Sequence, residues 1–327
     1  MDLLDRLRLE VGVVQAGMGG GVAGGRLAAA VAAAGGLGTI GMMAPAELRG
    51  AVERVREEAP GRAVAVNLLM PFARRHHVRA CLDARVDVVV PAFGGDERLV
   101  GELRDAGIFV LMMVGDEQQA RTAVAWGVDG LIAQGREAGG HLVGTALARE
   151  FLPRALAVAQ GRPVLVAGGI ADAADTAAAL SAGAVAVVAG SRFLLTHESG
   201  AHPEYQRRVL EARETVETTV FGLGWPARHR VVPNSVTARW CREDGTARRI
   251  PALINARSAP LARLSPQKVD DTALRLQHPR VPLFTPIAPL EGAPAAWVDR
   301  AALYAGESAL RMSGVMSAKR AVAELAG

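Results

Sequence analysis

Residues 134–145 read QGREAGGHLVGT, and they place one histidine, His141, directly behind Gly139 and Gly140 and shortly after the apolar run VDGLIA. The run has the character of a buried strand, and paired glycines let a backbone pass close to a bulky neighbour. An imidazole titrates near about pH 6.5, so a histidine at such a place could take or give a proton near neutrality. The competing reading is a structural histidine that fastens the loop.

Three further stretches carry chemistry. AGGIAD (167–172) and AGSRF (189–193) each follow an apolar run with glycine and a polar residue. Backbone N–H groups at Gly168, Gly169 and Gly190, with the Ser191 hydroxyl, could cradle a phosphate. Sugar phosphates, nucleotides and flavin mononucleotide (FMN) all fit such a cradle, and two ordinary glycine turns would look the same. In QAGMGGG (15–21), Met18 and Gly19 could lie against a planar ring, with a polarisable thioether as contact. Asn67, ending the run AVAVN, could pair with a ring edge through its donor and its acceptor, or could make an Asx turn before Pro71.

These residues need elements to hold them. Eight short apolar runs recur, at 11–18, 37–42, 63–70, 86–94, 108–115, 128–135, 163–170 and 184–191. Unbroken apolar runs of this length fit strands buried on both faces. Segments with helical spacing lie between them, and glycines precede several strands. Eight strand–helix units in order predict an α/β fold of the (β/α)8 TIM-barrel type, with a doubly wound open sheet as the alternative. In a barrel, every stretch above falls at the carboxyl ends of the strands, where such folds place their active sites. After residue 217 the alternation stops. Residues 218–290, rich in Pro, Arg and Thr, read as a small inserted domain or lid, mainly helical or irregular. Residues 1–217 and 291–327 form the barrel, the tail returning as its last helix.

Composition narrows the function. Half of the 327 residues are hydrophobic but only 4% are aromatic, so Ala, Val and Leu must build the core. The net charge of +4 is almost all arginine and is interspersed with acids, as in RVREEA, which argues against nucleic acid as a partner. Cys81 and Cys241 form no CxxC pair, so neither a disulfide framework nor a cysteine metal site is expected. His76 and His77 lie in the basic stretch ARRHHVRA and read as solvated; His197 and His202 lack metal-site spacing. The amino-terminal segment does not read as a signal peptide and no run reads as a membrane span, so a cytoplasmic location is expected.

QAGMGGGVAGGRLAAAVAAAGGLGTIG, AVNLLMP, VDGLIAQGREAGGHLVG, PVLVAGGIAD and GSRFLLTHESGAHPEYQ together resemble the nitronate monooxygenase family, over about residues 10–210, and more faintly at GWPARHRVVPN and YAGESALRM. The resemblance implies an FMN-bound barrel with a smaller helical domain over the mouth. It implies that Gln15, Met18, Gly19, Asn67, Gln134, Gly139 and Gly140 lie at the flavin, that Gly168, Gly169, Gly190 and Ser191 hold its phosphate, and that His141 faces the substrate. The residues themselves lead to no expected metal site. The implied partners are a small-molecule substrate and O2, with a homodimer as a further expectation. The sister flavin-dependent enoyl-acyl carrier protein reductases share the AGGH histidine and would use NAD(P)H; Gln134 leans toward the monooxygenases, since the reductases carry Glu there. The chain departs from the pattern in places. Gly17 stands where the family has Pro and is expected to loosen the turn, HLVG adds a residue after the histidine, and GES replaces GQS at Glu307. The expected activity is FMN-dependent oxidation of alkyl nitronates with O2. Reduction of enoyl thioesters and a related biosynthetic flavin reaction are the redox alternatives, and an isomerase or phosphometabolite carrier the alternative outside redox chemistry.

Overall fold

A computed structural model of the chain describes residues 3–260 and 274–327. All eight apolar runs form strands: β1 (Val13–Gln15), β2 (Gly38–Ile40), β3 (Val64–Leu69), β4 (Val88–Ala92), β5 (Phe109–Val114), β6 (Gly130–Gln134), then, beyond a two-residue β7 (Gly140–His141), β8 (Val164–Ala167) and β9 (Ala186–Ala189). The eight longer strands pair in parallel in one sheet, in the order β1-β9-β8-β6-β5-β4-β3-β2. A parallel bridge between Val14 and Leu37, with hydrogen bonds from Gln15 N to Leu37 O and from Leu37 N to Val13 O, joins β1 to β2 and closes the barrel.

Alternate residues of each strand face opposite sides. Val14, Ala65, Val88, Val90, Leu111, Ile132, Leu165 and Val188 form the lumen core, and Leu3 and Leu7 of the amino-terminal helix join it. Val13, Val66, Val89, Val110, Leu131, Val166 and Val187 face outward and pack on the helices. Short side chains fill both layers, as the aromatic-poor composition requires. Several helices start at aspartate caps: Asp96, Asp116 and Asp172 accept from the N–H groups of Leu99, Gln119 and Asp175. Such caps satisfy donors that the first turn leaves over. The terminal helix, Ala318–Ala326, buries Ala318, Ala321, Val322 and Leu325 in the outer layer, completing the helical ring.

The segment from 218 to 290 is mostly helical or irregular among the described residues, and 261–273 of it lie outside them. Its entry differs from the expectation. β10 (Val216–Thr218) and β11 (His229–Val231) pair antiparallel, and β11 also pairs with β7. The segment is therefore stitched by backbone hydrogen bonds to the loop that carries His141. Its β-branched ends, VETTV and HRVV, are the local reason.

Candidate functional site

Strand parity sorts the candidate residues. On β3 and β6 the residues two before Asn67 and Gln134, Ala65 and Ile132, belong to the lumen core, so both polar side chains stand at the mouth of the barrel. Asn67 donates to the Val90 carbonyl at 2.8 Å, and among the described residues its side-chain oxygen has no partner. Gln15 follows the opposite parity, with Val13 in the outer layer. Its amide bonds the backbone of Thr39 in both directions, at 3.0 and 3.1 Å, and clamps β1 to β2. Gln15 is thus turned away from the mouth; an unbroken apolar run hides this parity from sequence.

Gln134 also spends its amide on the chain. Its Nε2 donates to the His141 carbonyl at 3.1 Å and its Oε1 accepts from Val143 N at 2.8 Å. It positions the histidine loop. Gly140 needs its glycine, with φ +77°. Gly139 has a different reason: a Cβ there would lie 2.5 Å from the Gly306 nitrogen. Gly17 does not loosen its turn. A Cβ on it would fall 2.3 Å from Cβ of Asn67, so the glycine is what lets Asn67 sit where it does. Met18 is partly buried between the barrel and the carboxyl-terminal segment, and Gly19 approaches Leu69.

The two carboxyl-terminal turns of the barrel form a nest. Gly168 and Gly169 have φ of +111° and +78°. Among the described residues, the N–H groups of Gly168, Gly169, Gly190 and Ser191 donate to no acceptor. Ser191 opens a short helix, and its hydroxyl accepts from Gly306 N at 2.9 Å, leaving its own hydrogen to donate. Arg311 holds the Gly169 carbonyl at 2.8 Å and pairs with Asp175 at 2.6 Å. A cleft of about 490 Å³ opens beside Gly169, lined by Glu137, Arg213, Thr215, Ser308 and Arg311 among others. Of these donors Gly169 lines the cleft, together with Arg213 and Arg311 and with Glu137, Glu214 and Glu307; unpaired N–H groups in a glycine turn suit an anion.

His141 lies in an aromatic box. Its ring stacks on Trp225 with centroids 3.8 Å apart, and Phe93, Tyr304 and His229 stand at 6.2, 5.3 and 5.1 Å. Its Nε2 is buried and without a partner. Burial, and then the neighbouring His229, hold its pKa well below the ordinary value, so the ring is neutral at neutral pH. Phe93 keeps its place with φ +63°, a conformation a bulky side chain rarely adopts and one that collects at functional sites. His229 is fully buried, and burial depresses its pKa to about 4. The sequence motifs did not single out Trp225 or Phe93. One signal was available: in a chain with so few aromatic residues, rings outside the strands deserve a site to explain them.

Arg230, nearly buried, ties this box to its surroundings. It donates to the Arg136 carbonyl and pairs with Glu217 and Glu307 at 3.6 and 3.2 Å. His77, expected to be solvated, is 3% exposed instead, with its Nδ1 accepting from Arg74 N at 3.1 Å at the start of a helix. Cys81 and Cys241 are free and buried. Among the described residues no group of His, Cys, Asp and Glu could hold a metal ion, and no helix is long and apolar enough to cross a membrane.

The sequence model of the nitronate monooxygenase family matches residues 42–326. The chain belongs to that family. Other nitronate monooxygenase family members and some differently named proteins are similar to it. A (3aS,4S,5R,7aS)-5-hydroxy-7a-methyl-1-oxo-octahydro-1H-indene-4-carboxyl-CoA dehydrogenase of Mycobacterium tuberculosis is 39% identical over 238 residues, covering 70% of this chain and 65% of the relative. The dehydrogenase of the same name from Rhodococcus jostii is 36% identical, with 62% of its length covered. The chain thus spans slightly less than two thirds of either. A probable nitronate monooxygenase of Bacillus subtilis is 36% identical over 159 residues, covering 45% of this chain and 43% of the relative. Among solved structures, FabK from Thermotoga maritima superposes with a TM-score of 0.78 at 27% identity, over 99% of this chain and 94% of that one. Nitroalkane oxidase from Streptomyces ansochromogenes gives 0.77 at 28% identity, over 97% and 95%. These two solved structures share the barrel described above.

Proposed function

We propose that this chain is an FMN-dependent oxidoreductase that oxidises small carbon acids, alkyl nitronates foremost, with O2 as the electron acceptor. The observation that carries the reading is the pairing of a nest of unpaired N–H donors with a neutral, unpartnered His141 Nε2 across one barrel mouth. The residues suit FMN. Gly168, Gly169, Gly190 and Ser191 would hold its phosphate, and Met18, Gly19, Asn67 and Gly140 would border its ring system. Bound FMN supplies a two-electron acceptor that O2 can regenerate, a redox capacity no side chain here has.

The chain's own part is binding and proton handling. The Asn67 oxygen, without a partner among the described residues, would accept an N–H from the cofactor edge. Trp225, Phe93 and Tyr304 pack around His141 and would keep water from the reacting carbon, their positive ring edges rather than their faces suiting a delocalised anion. His141 keeps a free lone pair at neutral pH and abstracts the acidic proton of a neutral nitroalkane. A preformed nitronate arrives without that proton and needs no base. Oxygen uptake with a small nitronate and with its parent nitroalkane tests the reading: uptake with both by wild type, and loss on the nitroalkane in His141→Ala, support it. No uptake with either, from protein carrying FMN, rejects it.

A second reading has an observation of its own. Two relatives, 39% and 36% identical over 238 and 223 residues, carry names that place a carboxyl-CoA thioester in their reaction. A neutral base facing a carbon acid serves oxidation beside a thioester equally well. If the reaction instead runs as an NAD(P)H-driven reduction of enoyl thioesters, anaerobic NAD(P)H bleaches the flavin; if it does not, the flavin stays yellow.

A further inference from the structure

His229 has a feature the reading above leaves unexplained. Its Nδ1 lies 2.9 Å from the Ala227 carbonyl, which can only accept, so Nδ1 carries the hydrogen. The neutral ring therefore presents a bare lone pair at Nε2, and that atom is buried with no partner. An orphaned acceptor in a dry site costs about 1–3 kcal/mol, so its retention asks for a donor that arrives during turnover. Few groups are placed to give one. The Tyr304 hydroxyl, with the rings 5.9 Å apart, already donates to the Pro286 carbonyl. Phe221, at 6.0 Å, has nothing to donate. Arg230 on β11 and Arg228 just before it flank His229 in sequence, and their side chains engage Glu217, Glu307 and backbone carbonyls instead. His141 is the polar ring that remains. The β7–β11 ladder sets it directly opposite His229 in register, with ring centroids 5.1 Å apart.

We propose that His141 and His229 form a pair that shares one proton, with Nε2 of His229 accepting a hydrogen bond from the imidazolium that His141 becomes when it removes a substrate proton. In that step the carbon–hydrogen bond breaks, its electron pair stays on the substrate as a carbanion or nitronate, and a nitrogen–hydrogen bond forms on His141. His229 is a positioning residue in this scheme: it steadies the charge on its neighbour without touching the substrate. Two charged imidazoles cannot coexist at this spacing in a dry site, so the pair takes up one proton and resists a second. The proposal rests on the role of His141 as base in the reading above.

Two measurements test it, and they fail separately from that reading. In the full-length protein with specifically 15N-labelled histidine, ring nitrogen shifts report tautomer and protonation without any turnover. The pair requires Nδ1–H on His229 and one shared titration step for both rings; Nε2–H on His229, or two independent titrations, overturns it. In the FMN-loaded protein, His229→Phe keeps an aromatic ring and removes the acceptor. Flavin reduction by a neutral nitroalkane should then fall about tenfold or more, the scale of a proton-transfer contribution. Reduction by preformed nitronate should hold within about twofold, and His229→Gln, which restores an acceptor, should recover part of the loss. Equal loss on both substrates, or none on the nitroalkane, overturns the pair. If wild type reduces with neither substrate, the functional reading fails and the NMR result alone decides the pair.

Discussion

Gln134 offers the sharpest test of how the histidine is held. Gln134→Leu keeps the bulk and removes both hydrogen bonds, to the His141 carbonyl and from Val143 N. A buried bond contributes about 1 kcal/mol net, and an orphaned group costs about 1–3 kcal/mol if water cannot reach it. Both loop residues are half-buried, so water relieves part of that penalty, and the loss should be about 2 kcal/mol. For a chain of this length that lowers Tm by about 3 °C. The rate suffers more, since a displaced catalytic group can cost about 100-fold. Gln134→Glu adds a sign. One carboxylate oxygen still accepts from Val143 N, but the other must face the His141 carbonyl oxygen. Only the protonated acid can donate there, so the folded pKa rises above the ordinary carboxyl value of about 4.3. Stabilisation by the acid form is full below that value and is lost as pH climbs through the raised folded pKa. Differential scanning calorimetry should therefore find the gap between Gln134→Glu and wild type widening from about pH 5 to pH 8. A Gln134→Leu protein with unchanged Tm and unchanged nitroalkane rate would refute the positioning role.

Other expectations follow from single contacts. Gly168→Ala places a side chain at φ +111° and 3.3 Å from the Ala138 nitrogen, so fluorescence titration should find FMN bound at least about tenfold more weakly. Gly17→Ala drives a methyl into Asn67 and should lower flavin content in the purified protein while leaving the far-ultraviolet circular dichroism unchanged. Burial holds the folded pKa of His229 at about 4, below the solvated value of about 6.5. The unfolded chain then binds the extra proton first, so stability drops as pH falls below about 6.5, by up to about 3 kcal/mol near pH 4. Urea unfolding should show that slope, and His229→Gln should make it shallower, the buried His77 and His141, whose pKa values burial also lowers, supplying the remainder.

The barrel was legible because its signal is redundant. Eight apolar runs, with glycine stops and aspartate starts between them, allow few other folds, and each run became a strand. The glycine turns after the last two strands were legible for the same reason, each following its run as AGGIAD and AGSRF. What sequence concealed was direction. A strand buried on both faces is apolar throughout, so Gln15 and Asn67 look alike although one faces outward and the other the mouth. The aromatic box was hidden by distance along the chain. Phe93, His141, Trp225, His229 and Tyr304 meet only because β11 pairs with β7, a contact between segments some 88 residues apart. HRVV is too short a strand signal to name its partner.

The most direct measurement is anaerobic. FMN-loaded protein mixed with a small alkyl nitronate should lose its absorption near about 450 nm, a property of the oxidised cofactor, and regain it when O2 is admitted. Protein that retains FMN yet keeps that absorption in the presence of excess nitronate would contradict the account.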